Sequence, residues 1–600
     1  MQNIFLRMLM GLAGLTAAFG VEPPQPVLPV PSPQQLAWQR MEMTLFLHFG
    51  VNTFTDREWG DGTEDPKIFN PADLDANQWV REAKAAGFKL MILTAKHHDG
   101  FCLWPSAYTE HSVKNSAWKN GQGDVVREFI DACRAQGMKT GIYLSPWDRN
   151  NPAYGDSPRY NQYFTNQLSE ISTKYGPVDE FWFDGACAEG PNGKKQVYDW
   201  KAYYDTLYSH YDKTVIAICG PDIRWVGNES GVARPGESSV QNTSEERHFG
   251  AFGQIWYPAE CDVSIRPGWF YHASQDQSVK SVDHLLDIYF KSVGRNSVLL
   301  VNVPPDKRGL FAHADVQGLR EFHTALDDIF KANFALGKAT CASEVRGGDH
   351  QFDPTRVVDG NLDTYWSTND DVRTCWLEID LGKPRKINVI SVQEQITLGE
   401  RVQRYHMEAR VNEIWQTVAQ GTVIGHKNLL QFPEVQADRI KLVVDQARAC
   451  PAIAEVGAFY NPRSKSVDSG SVLAHQPAKA SNVHPAGTMY GGDKAVDDDT
   501  ATRWATSDQI RDCWLEVDLR QEVTVGSLRI AELQSRITKY QLEYKSEQDP
   551  TWRVAHVGGQ AGTNHQAAFK PVNARHIRLH ILEATFAPTI WEFQVFPAKQ

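Results

Sequence analysis

The sequence predicts a multidomain chain: an N-terminal (β/α)8-like (TIM) barrel followed by two all-β sandwiches. Three observations carry this. The chain has 600 residues, too many for one domain and enough for three. Across residues 36–335, short apolar runs alternate with amphipathic segments, the signature of parallel strands joined by helices. Beyond that, a block containing Asp359, Trp366, Cys375 and Leu381 recurs as Asp497, Trp504, Cys513 and Leu519, at a constant offset of 138 positions. A fixed offset over such a length marks a duplication.

In chain order, residues 1–20 read as a signal peptide. Arg7 supplies the positive charge, residues 8–19 form a short apolar run, and Ala18-Phe19-Gly20 is a small-x-small cleavage site. The run is short for a membrane span, no later stretch is apolar enough, and the mature chain is expected to be secreted or periplasmic without an integral membrane segment. Residues 21–35, with Pro23, Pro24, Pro26, Pro29, Pro31 and Pro33, form a Pro-rich extended leader without helix or strand.

The barrel is placed at 36–335. Its expected strands are 44–48, 90–94, 140–145, 180–184, 215–219 and 297–302; its expected helices are 75–86, 124–136, 160–175, 200–211 and 278–294. Gly87, Gly137, Gly176 and Gly294 stand where helices need a left-handed cap. The section 220–269 is poor in helix signals, so an irregular barrel is expected there. A doubly wound open sheet is the second choice. The sandwiches are placed at 336–460 and 476–600, on alternating strand patterns such as 376–381, 439–444, 527–531 and 576–582, with residues 461–475 as the linker.

Sixty-one Lys and Arg among seventy-three Asp and Glu give a net charge of -12 and no basic tract, which disfavours a nucleic-acid partner. Nine Cys without metal-like or paired spacing argue against a disulfide framework and leave one bridge, Cys341 to Cys450, open. Eighteen Trp and twenty Tyr suit both a large core and the stacking of sugar rings.

The chemistry collects at strand ends. The apolar run Phe181-Trp182-Phe183 leads straight into Asp184, and a carboxylate at the C-terminal end of a barrel strand is where such enzymes keep a reactive group. His48 ends the first strand, with Glu58 and Trp59 in its loop; His97 and His98 follow the second; Tyr143 and Trp147 flank the third; Arg224, Trp225 and Glu229 follow the fifth. Each has a plainer reading: an Asp after a strand caps helices, a loop Glu is a solvated charge, and adjacent histidines also suit a metal-dependent hydrolase.

Together these motifs resemble glycoside hydrolase family 29, the α-L-fucosidases. The resemblance rests on Leu47-His48-Phe49-Gly50, Glu58-Trp59, residues 94–101 around His97-His98, residues 181–185 and residues 298–302. It implies Asp184 as nucleophile and His48, Glu58, Trp59, His97, His98 and Trp182 as the lining of a fucose pocket, to which Tyr143 and Arg224 are added. The stretch 224–229 resembles the subgroup that prefers α-1,3- and α-1,4-linked fucose on branched, Lewis-type glycans, which implies Glu229 as acid/base. Glu260 is the rival for that role, and Trp269 a wall of the pocket. Two carboxyls about 5 Å apart would give net retention. Burial and repulsion are expected to act on Glu229, and the pair His97 and His98 to donate hydrogen bonds to fucose hydroxyls.

The duplicated blocks resemble discoidin-like modules, also called factor 5/8 type C or carbohydrate-binding module family 32. That resemblance implies a structural Ca²⁺ held by Asp359, Asn361, Thr364 and Glu455, and in the second copy by Asp497, Asp499, Thr502 and Glu592, with Asp498 replacing Gly360 in the turn. No cofactor is expected for catalysis. The expected activity is retaining exo-hydrolysis of terminal α-1,3/α-1,4 fucose from oligosaccharides and glycoproteins. The alternatives are a broader fucosidase that also takes α-1,2 links, and a glycan-binding protein with an inactive barrel.

Overall fold

The computed structural model describes residues 21–243, 253–463, 471–474, 476–485, 487–498 and 502–598. The expected signal peptide therefore lies outside the described residues, as do most of the linker and Asp499. The chain divides into two compact units, Met1–Pro462 and Arg463–Gln600.

The first unit opens on a helix, Pro33–Gln39, whose Ser32 and Gln35 form a reciprocal N-terminal cap. Eight parallel strands follow: β1 Met43–Leu47, β2 Leu90–Lys96, β3 Lys139–Leu144, β4 Glu180–Phe183, β5 Val215–Ile218, β6 Arg224–Trp225, β7 Ala259–Ser264 and β8 Ser297–Asn302. They pair in the order β5-β4-β3-β2-β1-β8-β7-β6, a near-closed barrel. The seam between β5 and β6 is bridged by Cys219 and Arg224. The open doubly wound sheet is thereby excluded, since the strands follow one another in sequential order around the sheet and its two end strands meet at that bridge.

All six expected strands are present, and β6 and β7 are additions in the section read as irregular. Among its described residues that section holds no helix. All five expected helices form, and His313–Phe330 adds one the pattern had not placed. Gly137 caps its helix at φ 64°, in the left-handed region. Gly294 does something else: a Cβ there would meet the Phe290 carbonyl oxygen at 2.3 Å, so close approach rather than handedness requires glycine.

Inside the barrel, Phe46, Leu90, Ile92, Tyr143, Trp182, Val298 and Leu300 pack with Trp38 from the first helix. Trp38 closes the bottom, its Nε1–H donating to Glu180 Oε2 at 2.9 Å. The helices bury their apolar faces on the outside of the strands.

The leader differs from expectation. Its last residues are helical from Pro33, and the rest is strapped across the first sandwich. Buried Arg401 donates to Gln25 O at 3.0 Å, Arg346 donates to Glu22 O at 2.6 Å, and Val27 N donates to Leu398 O at 2.9 Å. Proline-rich chain has few donors of its own, so arginines reach out to its carbonyls.

The first sandwich builds a seven-stranded sheet around two bent strands, Cys375–Glu394 and Asn428–Ala447. It packs on the barrel: Phe330 meets Phe459 at 5.1 Å, and Glu400 accepts from Ser239 N at 2.7 Å and Asn296 Nδ2 at 2.9 Å. The second unit repeats the design with Cys513–Glu532 and His565–Ala584 in the same strand order, around its own core. All nine cysteines are free; Cys341 is exposed and Cys450 buried beside Arg401, so the bridge left open between them does not form.

Candidate active site

Every strand from β1 to β4 delivers a polar residue as it ends. His48 follows β1, His97 and His98 follow β2, Ser145 follows β3 and Asp184 follows β4; Asn302 is the last residue of β8. Parallel pairing puts these ends on one face, which is why residues far apart in sequence meet there.

Asp184 is fixed from two sides. The Tyr143 hydroxyl donates to Oδ2 at 3.1 Å, and the Ala186 amide donates to Oδ1 at 2.7 Å. Its side chain remains 27% exposed, enough for a ligand to reach. Beneath it lies Trp182, against Tyr143 at 5.4 Å and Phe46 at 5.1 Å between ring centres. Burial, with the charge of Asp184 adding to it, drives the Tyr143 phenol well above its usual range, so it stays a donor.

The histidines are neutral, and their hydrogen-bond partners determine the tautomers. Asn302 Nδ2 donates to Ser264 Oγ at 2.9 Å and to Trp269 O at 2.8 Å, so its Oδ1 must accept from His48 Nδ1, 2.8 Å away. Burial lowers His48 to about 3. Its Nε2 is then a lone pair. The same logic applies to His98. Ser145 Oγ donates to Trp147 O at 2.7 Å, so it accepts from His98 Nδ1 at 2.8 Å. Burial holds His98 below its ordinary value despite Asp184, whose Oδ2 lies 3.8 Å from Nε2. For His48 and His98 these hydrogen bonds leave Nε2 an acceptor, so of the pair His97 and His98 expected to donate to sugar hydroxyls, His98 presents an acceptor instead. His97 stacks between His98 at 4.1 Å and Tyr143 at 5.9 Å and is lowered further, again chiefly by burial.

The walls come from loops. Trp269 tilts against His48 at 5.1 Å. Glu58 accepts from the amides of Trp269 at 2.8 Å and Phe270 at 3.2 Å, and from His272 Nε2 at 2.7 Å. Burial alone would lower His272, but Asp56 and Glu58 together raise it, and each ring nitrogen faces one of these carboxylates at 2.7 Å. Glu58 thus braces the wall. Trp59 is 56% exposed and stands edge-on to His98 and Trp147, each at 5.7 Å.

Three expected site residues sit otherwise than the sequence suggested. Glu260 is fully buried, one layer down in the barrel, where its Oε2 accepts from Trp182 Nε1 at 2.7 Å. No ligand reaches it without rebuilding the core. It supports the floor beside Glu180, whose carboxyl burial pushes up to about 8. Arg224 turns outward to Glu237 and donates from Nε to Tyr257 O at 3.0 Å. Glu229 stands exposed in its loop, so the burial expected of it is not found.

The buried acid near the centre is one the sequence reading passed over. Asp262 is 4% exposed on β7 and accepts from Trp225 Nε1 at 2.6 Å. Its carboxyl is pushed up to about 7 by burial, against the Trp225 hydrogen bond, with Glu229 and Asp184 adding their charge. That coupling places Asp262 within electrostatic reach of both acids. Alternation along β7 was the available signal: Glu260, Asp262 and Ser264 all face inward.

In the first sandwich, Asp359 Oδ2 accepts from Thr364 Oγ1 at 2.7 Å, and Thr364 Oγ1 lies 2.9 Å from Asn361 O. Glu455 Oε1 is buried without a hydrogen-bond partner, and its carboxyl is pushed up to about 7 by burial, with the charge of Asp359 adding to it. Adjacent carboxyls with an orphan oxygen fit a hard cation. In the second copy, Thr502 Oγ1 lies 2.8 Å from both oxygens of Asp497, with Lys494 3.6 Å away. Asp498 takes φ 55°, so the turn keeps the left-handed backbone of Gly360 at φ 75°.

A barrel with carboxyls, neutral histidines and tryptophans at its strand ends has the site of a glycoside hydrolase. The family model described as Alpha-L-fucosidase matches residues 32–327, and the F5/8 type C domain model matches 338–456 and 477–593. Alpha-L-fucosidase 1 of Arabidopsis thaliana is 44% identical over 458 residues, 74% of this chain and 90% of its own. A crystal structure from Bacteroides ovatus is 41% identical, covers 95% of this chain and 96% of that one, and has a TM-score of 0.64. An aspartate-to-alanine mutant of a Ruminococcus gnavus family 29 fucosidase, in complex with fucose, is 35% identical over 74% of this chain and 98% of that one, with a TM-score of 0.69. The chain belongs to the α-L-fucosidase family, glycoside hydrolase family 29, and carries two F5/8 type C domains. α-L-Fucoside hydrolysis is the activity this membership supports.

Proposed function

We propose that the chain is an exported, retaining exo-α-L-fucosidase that removes terminal α-1,3- and α-1,4-linked fucose from branched, Lewis-type glycans. The observation that carries the mechanism is Asp184, held at the end of β4 by Tyr143 and the Ala186 amide with its side chain still open to a ligand. The Asp184 carboxylate attacks the anomeric carbon while Glu229 protonates the departing glycosidic oxygen. A fucosyl ester forms on Asp184. Glu229 then takes a proton from water as that water displaces the ester, releasing fucose with its configuration retained.

Export rests on residues 1–20, which read as a signal peptide. The linkage preference rests on the resemblance of the stretch 224–229 to the subgroup that takes branched glycans. In the first sandwich, Asp359, Asn361 O, Thr364 and Glu455 are proposed to hold one structural Ca²⁺; Asp497, Thr502 and Glu592 are the described candidates of the second.

The test is a product assay on α-1,2, α-1,3, α-1,4 and α-1,6 fucosides with a leaving-group comparison on Glu229→Ala. The reading expects branched Lewis trisaccharides to be strongly preferred over 2′-fucosyllactose. Comparable rates would assign a broad fucosidase, and no hydrolysis of any fucoside would assign a binding protein.

A further inference from the structure

Glu229 has little secondary structure to hold it. The strand before it, β6, is two residues long and pairs with β7 at Ala259 and Glu260, with Arg224 N donating to Pro258 O at 3.0 Å and Val226 N to Glu260 O at 2.9 Å on either side. Beyond it, Gly227 turns the chain at φ 101°. Asn228 then knots the loop, its Oδ1 accepting from Ser230 N at 3.1 Å and its Nδ2 donating to Val232 O at 2.8 Å. A single bridge from Ser230 to Val263 returns the loop to β7.

Two such residues of strand cannot fix a side chain to within the fraction of an ångström that proton transfer needs. Side chains supply the rest. Arg224 clamps β6 on the outside, through Glu237 and the Tyr257 carbonyl. Trp225 clamps it on the inside, through Asp262. Trp225 is 38% exposed, so its ring is not held by packing alone. Asp262, by contrast, is buried on a six-residue strand paired on both sides. It is the fixed end of the clamp.

We propose that Asp262 is a positioning residue for the acid/base: by gripping Trp225 it holds the 224–232 loop so that Glu229 stands at the glycosidic oxygen, and it keeps the Trp225 ring upright as a wall for the leaving sugar. This rests on the reading of Glu229 as acid/base. Placing a third carboxyl beside Asp184 and Glu229 is electrostatically costly. An apolar side chain would fill β7 at a gain over a carboxyl whose only task was packing, so the presence of Asp262 beside the site is explained by the grip.

A merely structural Asp262 would affect all substrates alike; a positioning one acts only where acid catalysis matters. The experiment measures kcat/KM of Asp262→Ala on a Lewis trisaccharide and on 2,4-dinitrophenyl α-L-fucoside, whose leaving group needs no proton, with and without azide. Expected are a loss of ~30-fold or more on the trisaccharide, less than ~3-fold on the aryl fucoside, and a rise in kcat with azide as fucosyl azide forms. Asp262→Asn keeps an oxygen for Trp225 and recovers most of the loss. Trp225→Phe, which keeps a ring but lacks the N–H, gives the same leaving-group pattern and serves if Asp262→Ala does not fold.

Equal losses on both substrates, no loss on the trisaccharide, or Asp262→Asn as impaired as Asp262→Ala would each overturn the proposal. Glu229→Ala is run alongside. If it shows the leaving-group pattern and Asp262→Ala does not, the positioning role alone fails. If Glu229→Ala lacks the pattern, the acid/base reading fails and takes the proposal with it.

Discussion

His48 and Asn302 show how a neutral imidazole is made to present one nitrogen. The Asn302 amide is oriented by Ser264 and the Trp269 carbonyl, and that orientation leaves His48 Nε2 as an acceptor. Removing the amide frees the ring to flip or change tautomer. Asn302→Ala should therefore raise KM for aryl fucosides about 5- to 100-fold, the equivalent of about 1–3 kcal/mol of lost pairing, with a smaller change in kcat. Michaelis kinetics on the purified variant check this, and an unchanged KM would contradict it. His48 was legible because a strand visibly ends at it. Its hydrogen-bond role was not, because Asn302 and Ser264 lie on strands more than two hundred residues away. Glu260 and Asp262 differ only in depth along one strand, and depth cannot be read from alternation.

At the scale of elements, the strands seen in sequence were those with apolar runs. β7 reads Ala-Glu-Cys-Asp-Val-Ser because its inward face carries acids, and β6 is too short to show a pattern. Both lie where function displaces hydrophobic periodicity. The leader was expected to be featureless because its partners, Arg346 and Arg401, lie in another domain. The repeat was the most legible element, since duplication preserves spacing even where loops change. Its Asp359 and Glu455 carboxyls supply the prediction of this scale. Adding Ca²⁺ to chelator-treated protein should raise Tm by roughly 2–5 °C, and Glu455→Gln should abolish the rise. A melt insensitive to Ca²⁺ would leave the turn braced by hydrogen bonds alone.

For the molecule as a whole, the barrel and first sandwich share buried residues, with Val389, Leu429 and Phe459 packed into the core that surrounds the strands. The helix carrying Trp38 closes the bottom of the barrel and the strap before it binds the sandwich, so one short segment ties both together. Such an arrangement leaves the upper face, with Asp184, Glu229 and Asp262, as the place for chemistry. The proposed mechanism turns on covalent attachment of fucose to Asp184. The most direct measurement incubates the enzyme with a mechanism-based fluorinated α-L-fucosyl fluoride and locates the added sugar by peptide mass mapping. One label per chain is expected, on the peptide containing Asp184 and absent from Asp184→Ala. A label on Glu229 or Asp262, or continued turnover with no label, would contradict it.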